Sequence, residues 1–190
     1  MKLNRSFIVS FVLLIVVAAV YRVIPVRPLG LLSFAPQIAM ALFGGALIKD
    51  KKWAFALPIF SMFLSDLLFH ALYKAGITTT AGFYNGQLWN YFLFALMVVI
   101  GFLIKKINVL QVGLAALIAP TIFFVLSNFG VWLFGGGWGH PQTAEGLLLT
   151  YKDAIPFYQG SVYATLFFSL VLFGGYFLLN GSKKIELAQN

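Results

Sequence analysis

Cysteine is absent from all 190 residues. That removes disulfides, thiolate metal sites, thiol nucleophiles and a lipidated anchor from consideration. Charge is scarce as well: 9% of residues are Asp, Glu, Lys or Arg, where soluble domains carry about 25%. Only five acidic side chains and two histidines are present. Neither HExxH nor GxSxG occurs, and a single carboxylate falls inside an apolar run, so a membrane enzyme is not expected. No stretch is polar and long enough to fold apart from the rest, so one transmembrane domain spanning 1–190 is expected.

What fills the chain instead is apolar: 61% hydrophobic residues, with 21 Phe. The net charge of +8 comes from short basic clusters beside apolar runs. That is the pattern of membrane topology rather than a nucleic-acid footprint. Six runs have helical character, at about 7–26, 31–48, 54–73, 87–104, 110–134 and 161–180. The first follows Lys2 and Arg5 and would also suit a signal peptide, but no small-x-small site follows cleanly, so a retained helix is expected. Pro36 predicts a kink or re-entrant start in the second run, and Pro120 interrupts the fifth. Residues 135–160, rich in Gly and holding Pro156, read as the longest loop.

Of the 13 Lys and Arg, nine fall on the side of both termini: Lys2, Arg5, Lys49, Lys51, Lys52, Lys105, Lys106, Lys183 and Lys184. Four fall on the other: Arg22, Arg27, Lys74 and Lys152. The excess of basic residues on cytoplasmic segments predicts cytoplasmic termini.

The run Ala54 to Tyr73, AFALPIFSMFLSDLLFHALY, sets the functional question. A carboxylate at membrane depth costs about 2.5–3.5 kcal/mol on insertion scales, so Asp66 is expected to face protein or a water-filled cavity. At a rise of 1.5 Å per residue, Asp66 lies roughly 10 Å below the outer end of its helix. Asn128 and Gln37 come to nearly the same depth, Arg22 lies a turn from the outer end of the first helix, and Asn90 opens the fourth. The inner portions contribute little beyond Ser10, Ser61 and Ser169.

Two readings follow. Arg22 and Asp66 could be a structural ion pair, with Asn128 and Gln37 as interhelical hydrogen-bond glue. Alternatively the group lines an outward-facing small-molecule site. Aromatics could close over it: Tyr84, Trp89, Tyr91, Trp132, Trp138, Tyr151, Phe157 and Tyr158. Trp132 follows Asn128 by one turn and should share its face. His70 follows Asp66 by four residues, but with His140 it matches no metal spacing, so neither a metal nor a cofactor is expected. Small residues at Ala41 and Gly45, at Ala115 and Ala119, and at Gly174-Gly175 suggest close helix approach.

The segments AMALFGGALIKDKKWAFALPIFSMFLSDLLF, FFVLSNFGVWLFGG and GLLLTYKDAIPFY, with Tyr21-Arg22, resemble a family of small bacterial membrane proteins. Those proteins are described as similar to the substrate-binding S component of energy-coupling factor (ECF) vitamin transporters. The resemblance implies an all-α bundle of six transmembrane helices in the bacterial cytoplasmic (inner) membrane. It also implies a vitamin-like ligand bound near the outer face and a partner module with a coupling subunit and two ATPases. The Ala-xxx-Ala docking pattern frequent on the first helix of S components is replaced here by adjacent Ala18 and Ala19.

The expectation is therefore a binding subunit for micronutrient uptake. Its site residues would be Arg22, Gln37, Asp66, Trp89, Asn90, Asn128, Trp132, Tyr151 and Phe157. The alternatives are a structural or assembly subunit, or a solitary proton-coupled carrier using Asp66.

Overall fold

The computed structural model describes residues 5–23, 33–79, 81–135 and 139–180, with side chains between 8 and 178 of these ranges. Trp138, Arg27 and the terminal lysines Lys2, Lys183 and Lys184 lie outside the described residues. Six helices appear among them: α1 Arg5–Val23, α2 Gln37–Leu47, α3 Lys51–Lys74, α4 Gln87–Phe102, α5 Val109–Leu133 and α6 Ala144–Asn180. Three, α3, α5 and α6, are long and apolar enough to cross a membrane. The described apolar lengths of α1, α2 and α4 are shorter.

Local chemistry explains most helix starts. Asp50 accepts the Lys52 N–H at 3.0 Å and opens α3. Asn108 accepts the Gln111 N–H at 2.8 Å and opens α5. Such side chains occupy backbone donors that the first helical turn leaves unpaired. Gly86 precedes α4 at φ +85°, a left-handed conformation that suits glycine.

Two expectations need correction. The second helix begins at Gln37 rather than near Leu31, because Pro36 occupies its N-cap and lacks the N–H a longer helix would use. The resulting 11 residues extend only about 16 Å. The second correction is larger. Residues 144–160 are not loop but the first half of α6, which runs 37 residues, about 55 Å. Pro156 sits inside the helix without ending it. Thr143 starts it, with the Thr143 hydroxyl accepting the Gly146 N–H at 3.2 Å and the Thr143 carbonyl accepting the Leu147 N–H at 2.9 Å.

The core lies around α2. Nine of its 11 residues are buried, and it packs against α3, α4 and α6. The α2–α4 crossing is closest at Gly45 and Gly101, where a Cβ on Gly45 would collide with the Val98 carbonyl oxygen and come within 2.9 Å of the Gly101 Cα. That close approach fits the small-residue spacing of Ala41 and Gly45. Gly174 and Gly175 differ: a Cβ on either meets nothing within 4 Å. A helix apolar on every side belongs inside a bundle. Around α2, the core gathers Leu42, Met97, Val98, Ala119 and Phe173 in one cluster, with Met40, Leu57 and Phe11 in a second against α1.

Candidate functional site

Asp66 sits on the buried face of α3 with 1% of its surface exposed. Arg22, in the last turn of α1, places Nη1 2.6 Å from Asp66 Oδ1 and 2.5 Å from the Ser65 hydroxyl. The second carboxylate oxygen is taken by α4. Gln87 Nε2 donates to Oδ2 at 2.6 Å, and the Tyr91 hydroxyl donates to the same atom at 2.7 Å. Gln87 and Tyr91 are four residues apart, and thus on one face of α4. The positive end of the α4 dipole also favours a carboxylate near Gln87. Three helices therefore meet on one buried charge.

The α3–α4 connection folds down over this group. A Cβ on Gly82 would collide with the Asp66 carbonyl oxygen and the His70 backbone nitrogen, so only glycine lets the loop lie this close to α3. The Gly82 carbonyl oxygen lies 3.3 Å from Gln87 Nε2, and Phe83 packs edge-on against His70 with ring centroids 5.3 Å apart. Beside them the Tyr84 hydroxyl accepts from Asn90 Nδ2 at 2.6 Å. Tyr84 keeps 45% of its surface exposed and is otherwise covered. Burial pushes that phenol above its ordinary range; the Asp66 charge adds to the shift, while the Asn90 hydrogen bond and the Arg22 charge oppose it.

Arg22 is not used up by these contacts. Its side chain is 25% exposed, both of its hydrogen bonds leave from Nη1, and its guanidinium carbon lies 5.4 Å from the Phe69 ring centroid. Nε and Nη2 carry no hydrogen bond among the described residues. A planar guanidinium held along one edge presents the other as a fork suited to a carboxylate or phosphate.

The remaining expected site residues fall elsewhere. Gln37 is buried on the α1–α2 seam, donating from Nε2 to the Ala18 carbonyl at 3.2 Å, while its Oε1 has no partner among the described residues. Trp89 belongs to the α4–α5 crossing, where its Nε1 donates to the Leu126 carbonyl at 3.0 Å and its ring occupies the space a Gly130 side chain would need. Asn128 turns back on its own helix, donating to the Phe124 carbonyl at 2.8 Å. Trp132 donates to the Pro141 carbonyl at 3.2 Å, and the Tyr151 hydroxyl to the Val125 carbonyl at 2.8 Å.

Tyr151 and Phe157 lie on α6 rather than on a loop, and the Phe157 carbonyl accepts from the Ser33 hydroxyl. The single polar layer read from depth thus divides. Arg22, Asp66 and, through Tyr84, Asn90 share one cluster, whereas Trp132 and Tyr151 stitch the outer end of α5 to α6 and the segment before it, and Asn128 bonds only within α5. The sequence reading misses Ser65 and Gln87 as site residues and names Tyr91 only among the aromatics that could close over the site. The signal available for Gln87 and Tyr91 was their spacing of four at the start of a helix beside a buried acid.

His140 pairs with Asp153 at 2.8 Å. No group of three or more potential metal ligands occurs among the described residues.

Residues 1–187 match the model of a family of unknown function, DUF6580, and the chain belongs to that family. No curated protein and no solved structure matches it.

Proposed function

We propose that this member of a family of unknown function is the substrate-binding subunit of a micronutrient uptake system, set in the bacterial cytoplasmic membrane with six spans. Its ligand is a small, vitamin-like molecule bearing a carboxylate or phosphate, received at the outer end of the bundle. The observation that carries this reading is the half-used guanidinium of Arg22. Asp66 neutralises and aims it, Ser65 fixes its angle, and its second edge carries no hydrogen bond among the described residues. An arginine oriented before the ligand arrives loses less entropy on binding than a free one. The Gly82 loop, lying directly on α3, is the natural cover for such a site. The sequence has no nucleotide-binding motif, so energy for uptake comes from a partner module or from a gradient.

The assembly-subunit reading has its own support. Both Asp66 oxygens are already satisfied within the chain, as interhelical glue requires. Arg22→Lys separates the two. A lysine ammonium can keep the Asp66 contact but has no second edge to offer. Mass spectrometry of small molecules co-purifying with the detergent-solubilised protein should find an anionic or zwitterionic compound on the wild type. Arg22→Lys should be folded and empty. If wild type and variant are both empty and differ only in stability, the cluster is glue, and the assembly role replaces the binding role.

A further inference from the structure

At the opposite end of the bundle, α5 and α6 part to leave an apolar groove of about 560 Å³. Val112, Gly113 and Ala116 form one wall, and Leu170, Phe173 and Gly174 the other. Two glycines make the groove: a Cβ on Gly113 or Gly174 meets nothing within 4 Å. Ser169 also lines it, only 2% exposed, and its hydroxyl has no hydrogen-bond partner among the described residues. A buried hydroxyl in that position is an unmet donor, and such groups are normally satisfied.

The groove's end is basic. Exposed Lys105 and Lys106 immediately precede Ile107 and Asn108, which line it, and the N-terminus of α5 follows at Val109. No carboxylate pairs with either lysine among the described residues. Two cations and a helix N-terminus at the mouth of an apolar cleft suit a ligand with an anionic head and a hydrocarbon body. Ser169 lies five residues along α6 from Gly174, about 7 Å further in.

We infer that the α5–α6 groove is a binding site for one anionic phospholipid, with its phosphate at Lys105, Lys106 and the α5 N-terminus and an acyl chain between Gly113 and Gly174. This rests on the membrane-embedded reading, but not on the Arg22 site.

Native mass spectrometry of the full chain, released from mixed micelles of phosphatidylglycerol and phosphatidylcholine, tests it. The wild type should retain a single phosphatidylglycerol in preference to phosphatidylcholine. At about fivefold per lysine, Lys105→Gln with Lys106→Gln should weaken retention roughly 30-fold. Gly174→Leu starts from a Cβ position that meets nothing within 4 Å and should abolish retention without lowering the melting temperature. Gly113→Leu, on the other wall, repeats the test should the first variant fold poorly. Equal retention of both lipids, or retention by both leucine variants, would overturn the inference. A lipid-free dimer that dissociates on Gly174→Leu would do so too, by naming a second copy as the occupant. A chain that stays soluble and monomeric without detergent would instead remove the membrane reading itself.

Discussion

Replacing Arg22 with methionine keeps about the length of its aliphatic stem but removes the guanidinium and its charge. Asp66, at 1% exposure, would then face Gln87 and Tyr91 with two hydrogen bonds and no counter-charge. Breaking a buried pair from one side costs about 3–5 kcal/mol. Asp66→Asn alone leaves Arg22 unpaired, but that side chain is already a quarter exposed and can turn towards water, so the loss is nearer the 1.5–3 kcal/mol of a charged hydrogen bond. The double variant leaves no unpaired charge, and the amide oxygen can still accept from Gln87 or Tyr91. Its cost should be about 1–2 kcal/mol, the worth of one or two neutral hydrogen bonds. The cycle therefore predicts strong non-additivity, with the double variant more stable than Arg22→Met by roughly 2 kcal/mol. Reversible unfolding in mixed detergent micelles, titrated with dodecyl sulfate and followed by tryptophan fluorescence, measures all four corners. The result should be unchanged between about 0.05 and 0.5 M salt, because a buried pair is poorly screened. Additivity within about 0.5 kcal/mol would refute the reasoning, since it would mean that the two charges do not stabilise one another.

Three further outcomes follow from contacts already described. Gly45→Ala forces α2 and α4 apart and should cost about 1–3 kcal/mol, whereas Gly174→Ala meets open space and should stabilise α6 by about 0.5–1 kcal/mol; thermal melts of the two variants compare them directly. Gly82→Ala displaces the loop from α3, so backbone amides of residues 66–70 and 82–87 should exchange with deuterium faster than in the wild type, while those of α5 keep their protection. Because burial raises the Tyr84 phenol, its contribution is fully present below the ordinary tyrosine value of 10.0 and is lost only as pH climbs through the higher folded value. Tyr84→Phe should therefore leave the pH profile of stability unchanged below about pH 10 and flatten the decline above it, as read from melting temperatures across that range.

How far the sequence can be read depends on what each residue demands of its neighbours. Arg22 and Asp66 were legible as a pair because an ionised group in an apolar run must find a partner, and few were on offer. Gln87 and Tyr91 carry no such demand. Polar residues at a helix start are equally at home in a loop or at a membrane surface, so only their spacing of four marked their convergence on Asp66. Asn128 shows a different limit: counting residues gives depth along an axis but not rotation about it, and this side chain turns to the Phe124 carbonyl instead of the cluster. The α6 boundary was misread because Pro156 and Gly160 resemble stops, although a long helix braced by α5 tolerates both. The burial of α2 was half legible. Its glycines announced close packing and Pro36 a kink or re-entrant start, but not that the helix would open only at Gln37 and run 11 residues.

That shortness bears on how the chain is made. In the membrane-embedded reading, a hydrocarbon layer of about 30 Å leaves a 16 Å helix unable to cross alone, and irregular backbone at its ends is tolerated only where protein covers it. Yet α3, α4 and α6, which enclose α2, are all synthesised after it. A nascent chain threaded in N-to-C order thus carries its future centre unshielded until the last helix arrives. Ribosome-stalled fragments ending before α6 should accordingly leave α2 open to protease or to water-soluble labelling reagents, and release of the complete chain should close it.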